Sequence, residues 1–274
     1  MQTVQTTWGG PRTSTTSLLL FFVLVFVLTI PFLVLGALTG LEILPGLPVA
    51  SLGAVCPATA AVIVVYREHK SAGVTALLKR AFDFTRITAK VWYIPALLLM
   101  PLVMALSFGV LRLAGVPVPI PQLAVLPVLL LCVLFFISAL AEELGWSGYA
   151  TDPLQERLSA FWASLVLGIV WAIVHYVALV QAHRPWVWIA WWSLFTVAAR
   201  VLIVWLYNNT GRSVVAAALF HMMINVTWQL FPVHGSYYDP RITGLLAAAA
   251  AVIVVVIWGP RTLARYRFGA ERRG

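Results

Sequence analysis

Val128-Leu129-Leu130-Leu131-Cys132-Val133-Leu134-Phe135-Phe136-Ile137-Ser138-Ala139-Leu140-Ala141-Glu142-Glu143-Leu144-Gly145-Trp146-Ser147-Gly148 is an apolar run that closes on two adjacent carboxylates. An ionised carboxylate at bilayer depth costs about 2.5–3.5 kcal/mol, so carboxylates there are rare and tend to be functional. Two side by side also repel, which disfavours charging both at once and suits a group that exchanges protons. The pair therefore poses a question about the rest of the chain: which other polar residues come to meet it.

The composition surrounding this stretch is that of a membrane protein. Of 274 residues, 62% are hydrophobic and 10% charged, and the mean hydropathy is +0.95. A soluble domain carries roughly 25% charged residues. Apolar runs near the ~20 residues needed to cross a bilayer recur along the chain. They predict an all-α polytopic membrane protein of about eight transmembrane helices, with spans near 17–39, 48–66, 91–113, 123–149, 160–180, 186–207, 213–231 and 242–259. Pro31 and Pro57 fall inside the first two, where membrane helices tolerate them. Residues 1–16 are polar and precede a run too long for a signal-peptide core, which predicts an uncleaved first span. The whole of 1–274 reads as one integral membrane domain.

The net charge of +9 is no nucleic-acid footprint, because the positive residues cluster in a few segments. With both termini placed inside, 14 of the 18 Lys and Arg fall in inner segments and 3 in outer loops, with Arg200 inside a span. The positive-inside rule then predicts an even number of spans and cytoplasmic termini, in a cytoplasmic membrane. Val74, Leu77, Leu78 and Ala81, at helical spacing beside Lys79, Arg80 and Arg86, predict a basic amphipathic elbow on the inner surface. Cys56 and Cys132 lie in apolar runs and form neither a disulfide framework nor a metal-type spacing.

Two histidines lie inside spans. His221 has Asn225 four residues on, so both project from one helical face, and Trp171 stands in the same relation to His175. Along the fourth span, Glu142 stacks with Trp146 while Glu143 points about 100° away and stacks with Ser147. A lone intramembrane His or Asn is often only an interhelical hydrogen-bonding residue. One Glu, two His and one Asn on three spans, however, supply a base, a partner imidazole and an oxyanion donor, the set that peptide hydrolysis requires. Glu142, His175 and His221 are also a ligand set that zinc accepts. Depth is a partial check: Glu142 lies about 15 Å, His221 about 14 Å and His175 about 27 Å from the nearest inner-side charge at ~1.5 Å per residue. The third value agrees with the others only if residues 153–162 lie along the interface before the chain turns inward.

Glu142-Glu143-Leu144-Gly145-Trp146-Ser147-Gly148-Tyr149, Trp171-x-x-x-His175 and His221-x-x-x-Asn225, in this order, resemble the CPBP family of intramembrane proteases, which includes the type II CAAX prenyl endopeptidases and their bacteriocin-processing and immunity relatives. The likeness runs from about Gly73 through Trp228. It implies a CAAX prenyl endopeptidase-like bundle with a cavity open to the cytoplasm. On this chain Glu142 would activate water, His175 would assist it, and His221 with Asn225 would stabilise the oxyanion. The resemblance leaves open whether zinc takes part or the glutamate acts alone. It implies a peptide or protein substrate, lipidated in the prenyl proteases, met among membrane lipids.

One position departs from the family. The first motif ordinarily carries Arg where this chain has Ser147, so Glu143 must stay protonated, bond Ser147, or find Arg200 on the sixth span. Trp171 stands where Phe is usual and keeps an aromatic wall. That missing arginine raises a first alternative, a catalytically silent relative acting as a membrane binding or immunity factor; the intramembrane charges Glu142, Glu143 and Arg200 raise a second, a small transporter or proton-coupled carrier. Transporters often show repeated halves, and the sequence shows no internal repeat.

Overall fold

The computed structural model describes residues 13–121 and 123–264. It is a helical bundle whose long elements are α1 (Thr15–Thr39), α2 (Cys56–Lys79), α3 (Tyr93–Leu113), α4 (Val125–Gly145), the short α5 (Thr151–Gln155), α6 (Ala160–Gln181), α7 (Trp186–Asn209), α8 (Val214–Leu230) and α9 (Pro240–Trp258). Among the described residues, seven helical stretches are long and apolar enough to cross a membrane, and α8, at 17 residues, is shorter. The protein is an all-α polytopic bundle. Arg12 and the basic residues Arg265, Arg267, Arg272 and Arg273, which weigh in the orientation argument, lie outside the described residues.

Helix ends follow local chemistry. Ser14, Ser159 and Ser213 each accept a hydrogen bond from a backbone N–H in the first turn of α1, α6 and α8, which satisfies a donor left without an intrahelical partner. Gly40 closes α1 at φ 61°, the left-handed conformation that glycine adopts without cost.

The second span departs from its expected form. A 3-10 helix over Val49–Val55 leads into α2, so Pro57 stands in the first turn of that helix rather than inside it. Proline fits there because its missing N–H would have had no partner. A two-stranded antiparallel hairpin, β1 (Glu42–Leu44) and β2 (Leu47–Pro48), precedes it. Leu44 and Leu47 pack against a cluster formed by Phe135 and Ala139 of α4 and Ala218, Met222 and Val226 of α8.

The elbow is built into the bundle more deeply than an amphipathic surface helix would be. α2 kinks at Lys70 and runs on to Lys79, followed by a 3-10 helix over Arg80–Arg86. Leu77 is fully buried while Leu78 is exposed. Arg80, itself buried, donates to the backbone oxygens of Gly148 and Arg212 and to the hydroxyl of Tyr207. The elbow thereby ties the end of α4 to the ends of α7 and α8.

Inside the bundle, α4 packs on α2 and α8, α6 on α7, α7 on α9, and α3 on α8. Two glycines permit the closest approaches. A Cβ at Gly145 would collide with the carbonyl of Pro57, and one at Gly168 would lie 2.9 Å from Cα of Val197 and 3.2 Å from Cβ of Arg200. These contacts bring α2 against α4 and α6 against α7 at the level of the carboxylates.

Candidate active site

The glutamates sit in the last turn of α4, where the chain changes from α-helix to a π-helix over Trp146–Ala150. Single π turns are frequent at functional sites because the extra residue re-aims the side chains around it. Here Trp146 Nε1 lies 3.4 Å from Oε2 of Glu142, and the Ser147 hydroxyl donates to Oε2 of Glu143.

The two carboxylates have different surroundings. Glu143 is 0% exposed and Glu142 8% exposed. Arg200, also 0% exposed, places Nη1 3.0 and 2.9 Å from the two oxygens of Glu143. Nδ1 of His221 lies 3.0 Å from Oε1 of the same carboxylate. Glu143 is thus a sealed anion shared by Arg200, Ser147 and His221, three partners that balance its charge and fill its lone pairs.

Glu142 keeps one oxygen available. Its Oε2 accepts from Nε1 of Trp171 at 3.0 Å, while Oε1 faces Nε2 of His221 at 3.8 Å. That separation is beyond direct hydrogen-bond reach and of the size a bridging water spans. Because Glu143 can only accept, Nδ1 of His221 carries a proton, and Nε2 is the nitrogen turned toward Glu142.

Trp171 is the pivot of the cluster. Its indole bonds Glu142, its ring meets His221 edge-on at 4.9 Å, and it lies 4.3 Å from the guanidinium carbon of Arg200. It stands eleven residues past the start of α6 at Ala160, about 17 Å along at ~1.5 Å per residue. The residue of α6 at the depth of Glu142 is therefore Trp171, and His175 lies one turn beyond it.

His175 is half-buried. It donates from Nδ1 to the backbone oxygen of Trp171 at 2.7 Å and packs against Trp192, which leaves its Nε2 free of protein partners among the described residues. No hydrogen bond joins it to Glu142, His221 or Asn225 among those residues. Asn225 lies one turn past His221 on α8, half-buried. The zinc set does not converge: among the described residues, no group of three or more His, Cys, Asp or Glu side chains could hold a metal ion. Glu142, His175 and His221 as arranged do not fit that ion.

Asp83 escaped the reading of the sequence. From the elbow it accepts from the Ser213 hydroxyl and from the backbone N–H groups of Val214 and Val215, and so anchors the start of the helix that carries His221. An acidic residue alone in the basic segment Lys79–Lys90 was the only signal for it in the sequence.

Residues 124–227 match the family described as Type II CAAX prenyl endopeptidase Rce1-like. Over 108 residues the chain is 31% identical to CAAX prenyl protease 2 of Methanococcus maripaludis, an alignment covering 36% of this chain and 40% of that protein. The matched stretch, which carries the glutamates and both histidines, is similar to the type II CAAX prenyl endopeptidases. The chain spans about two-fifths of the length of this curated relative.

Proposed function

We propose that this protein is a multi-pass intramembrane endopeptidase that hydrolyses a peptide bond of a membrane-associated substrate, with Glu142 activating the water. The observation that carries this reading is the division of labour between neighbouring glutamates: Glu143 is sealed and fully partnered, whereas Glu142 keeps Oε1 unbonded at the edge of the cluster. A general base must be within reach of the proton it takes and free to take it. Only Glu142 of the pair meets that requirement.

In this mechanism Oε1 of Glu142 removes a proton from water and the hydroxide attacks the scissile carbonyl carbon. Trp171 and Trp146 hold the other carboxylate oxygen, so the basic one keeps its aim. The developing oxyanion is met by the Asn225 amide and by His221. For His221 to donate there, Nε2 must carry a proton as well, and Glu143 beneath it supplies the negative charge that balances an imidazolium. His175 assists from one turn above through its free Nε2. Glu142 then returns its proton to the leaving amine.

The substrate class follows the relatives: a peptide or protein presented at the membrane, with a prenylated C-terminus as the first candidate. The excess of Lys and Arg in the segments taken as inner supports a reading in which both termini face the cytoplasm.

The test uses purified protein in lipid vesicles with prenylated and unmodified C-terminal peptides. Hydrolysis is expected, with a loss on the order of a thousandfold or more in Glu142→Gln and unchanged folding by circular dichroism. Turnover that survives Glu142→Gln overturns the assignment.

A further inference from the structure

Two positions on different helices converge on one buried carboxylate. The side chain of residue 147 projects from the π-helix onto Glu143, and the side chain of residue 200 reaches the same carboxylate from α7. One position holds a small hydroxyl and the other a full guanidinium, and both residues are buried. An arginine at either position could neutralise Glu143; arginines at both would crowd one space with two cations. Nε and Nη2 of Arg200 have no hydrogen-bond partner among the described residues, so Glu143 is its one polar protein partner there, with Trp171 stacked against it. An arginine serving as a general structural tie would spend its other N–H groups on neighbouring helices. Arg200 does not.

We infer that Arg200 is the positioning residue of this site, supplying from α7 the cation that position 147 lacks, and that the two positions are interchangeable as carriers of that charge. Resting on the proposed peptidase reading, this makes the serine at position 147 compatible with an active enzyme. The chain of action is physical. Arg200 keeps Glu143 an acceptor, Glu143 holds the proton of His221 on Nδ1, and Nε2 thereby faces Glu142. Gly168 permits the arrangement, because any side chain there would press on Val197 and Arg200.

The experiment is a charge-relocation cycle with two readouts: peptide turnover, and the 15N chemical shifts of the His221 ring in histidine-labelled protein, assigned by comparison with His221→Gln. Arg200→Gln should lower kcat about a hundredfold with KM little changed, as expected when a buried carboxylate loses its cation, and the Nδ1-protonated signature should be lost. Adding Ser147→Arg to Arg200→Gln should restore the signature and recover at least tenfold in kcat. Ser147→Arg alone should impair the protein, which makes the cycle strongly non-additive. Arg200→Lys, which keeps a cation beside Glu143, should retain the signature and serves if Arg200→Gln does not fold. A folded double variant that recovers neither readout overturns the inference, as does an Arg200→Gln protein with wild-type turnover and ring shifts. If the wild type cleaves no peptide, the peptidase reading fails by itself, and the ring shifts still decide the role of Arg200.

Discussion

The carboxylate of Asp83 caps a helix to which it does not belong, accepting from the hydroxyl of Ser213 at 2.7 Å and from the N–H groups of Val214 and Val215 at 2.9 and 3.1 Å. Ser213 in turn caps α8 through the N–H of Ala216. An anion at a helix N-terminus also complements the positive end of the helix dipole. The elbow between α2 and α3 therefore sets where α8 begins, and with it the height of His221.

Asp83→Ala leaves these buried donors without their acceptor. It should cost about 1–3 kcal/mol, seen as a fall in Tm of roughly 2–4 °C for each kcal/mol. Hydrogen exchange at the Val214 and Val215 amides should accelerate, and turnover should fall with it. Asp83→Asn, which keeps one acceptor oxygen, should lie between. Unchanged exchange at those two amides in Asp83→Ala would show that the cap does not secure α8.

Trp171→Phe removes the indole N–H while keeping an aromatic ring against His221 and Arg200. Loss of one hydrogen bond to the proposed base should reduce kcat/KM by roughly five- to tenfold, the equivalent of about 1–1.4 kcal/mol. Trp146→Phe removes the longer 3.4 Å contact to the same oxygen and should do less. Steady-state kinetics on both variants checks the order, and a reversal would count against Trp171 as the pivot.

Gly145 and Gly109 should respond oppositely to alanine. The new methyl at 145 meets the carbonyl of Pro57, whereas at 109 nothing lies within 4 Å. Gly145→Ala must force α2 from α4 and should destabilise by about 1–3 kcal/mol. Gly109→Ala gains helix propensity and should be neutral or stabilising by up to about 1 kcal/mol. Thermal unfolding of both in one detergent is the measurement.

The site was partly legible from residue spacing. The i, i+4 relation brings Trp146 under Glu142 and Ser147 under Glu143, because neighbours on one helix are dictated by its pitch. Depth counting could not align His175, because it assumed that the site's contact on α6 is the histidine. The element starts at Ala160 and meets Glu142 through Trp171, a turn earlier. The sequence puts Arg80 in the basic elbow but does not reveal its buried partners, nor those of Asp83. Their partners lie about 70 to 130 residues away along the chain, and no local pattern tells which distant groups they bond.

What the sequence determined alone is what depends on composition and on one helix at a time: the all-α membrane class and the pairing of side chains a turn apart. Hydrophobic length and the 3.6-residue repeat are local properties, so they survive without knowledge of packing. Only the tertiary structure decided which glutamate is sealed and which keeps a free oxygen. That choice is made by a guanidinium on α7, an indole on α6 and an imidazole on α8 that meet at the end of α4, with Gly168 letting α6 and α7 approach each other. Glu142 and Glu143 are the same residue type, one position apart, and the low-dielectric surroundings that separate their roles exist only once the bundle has closed.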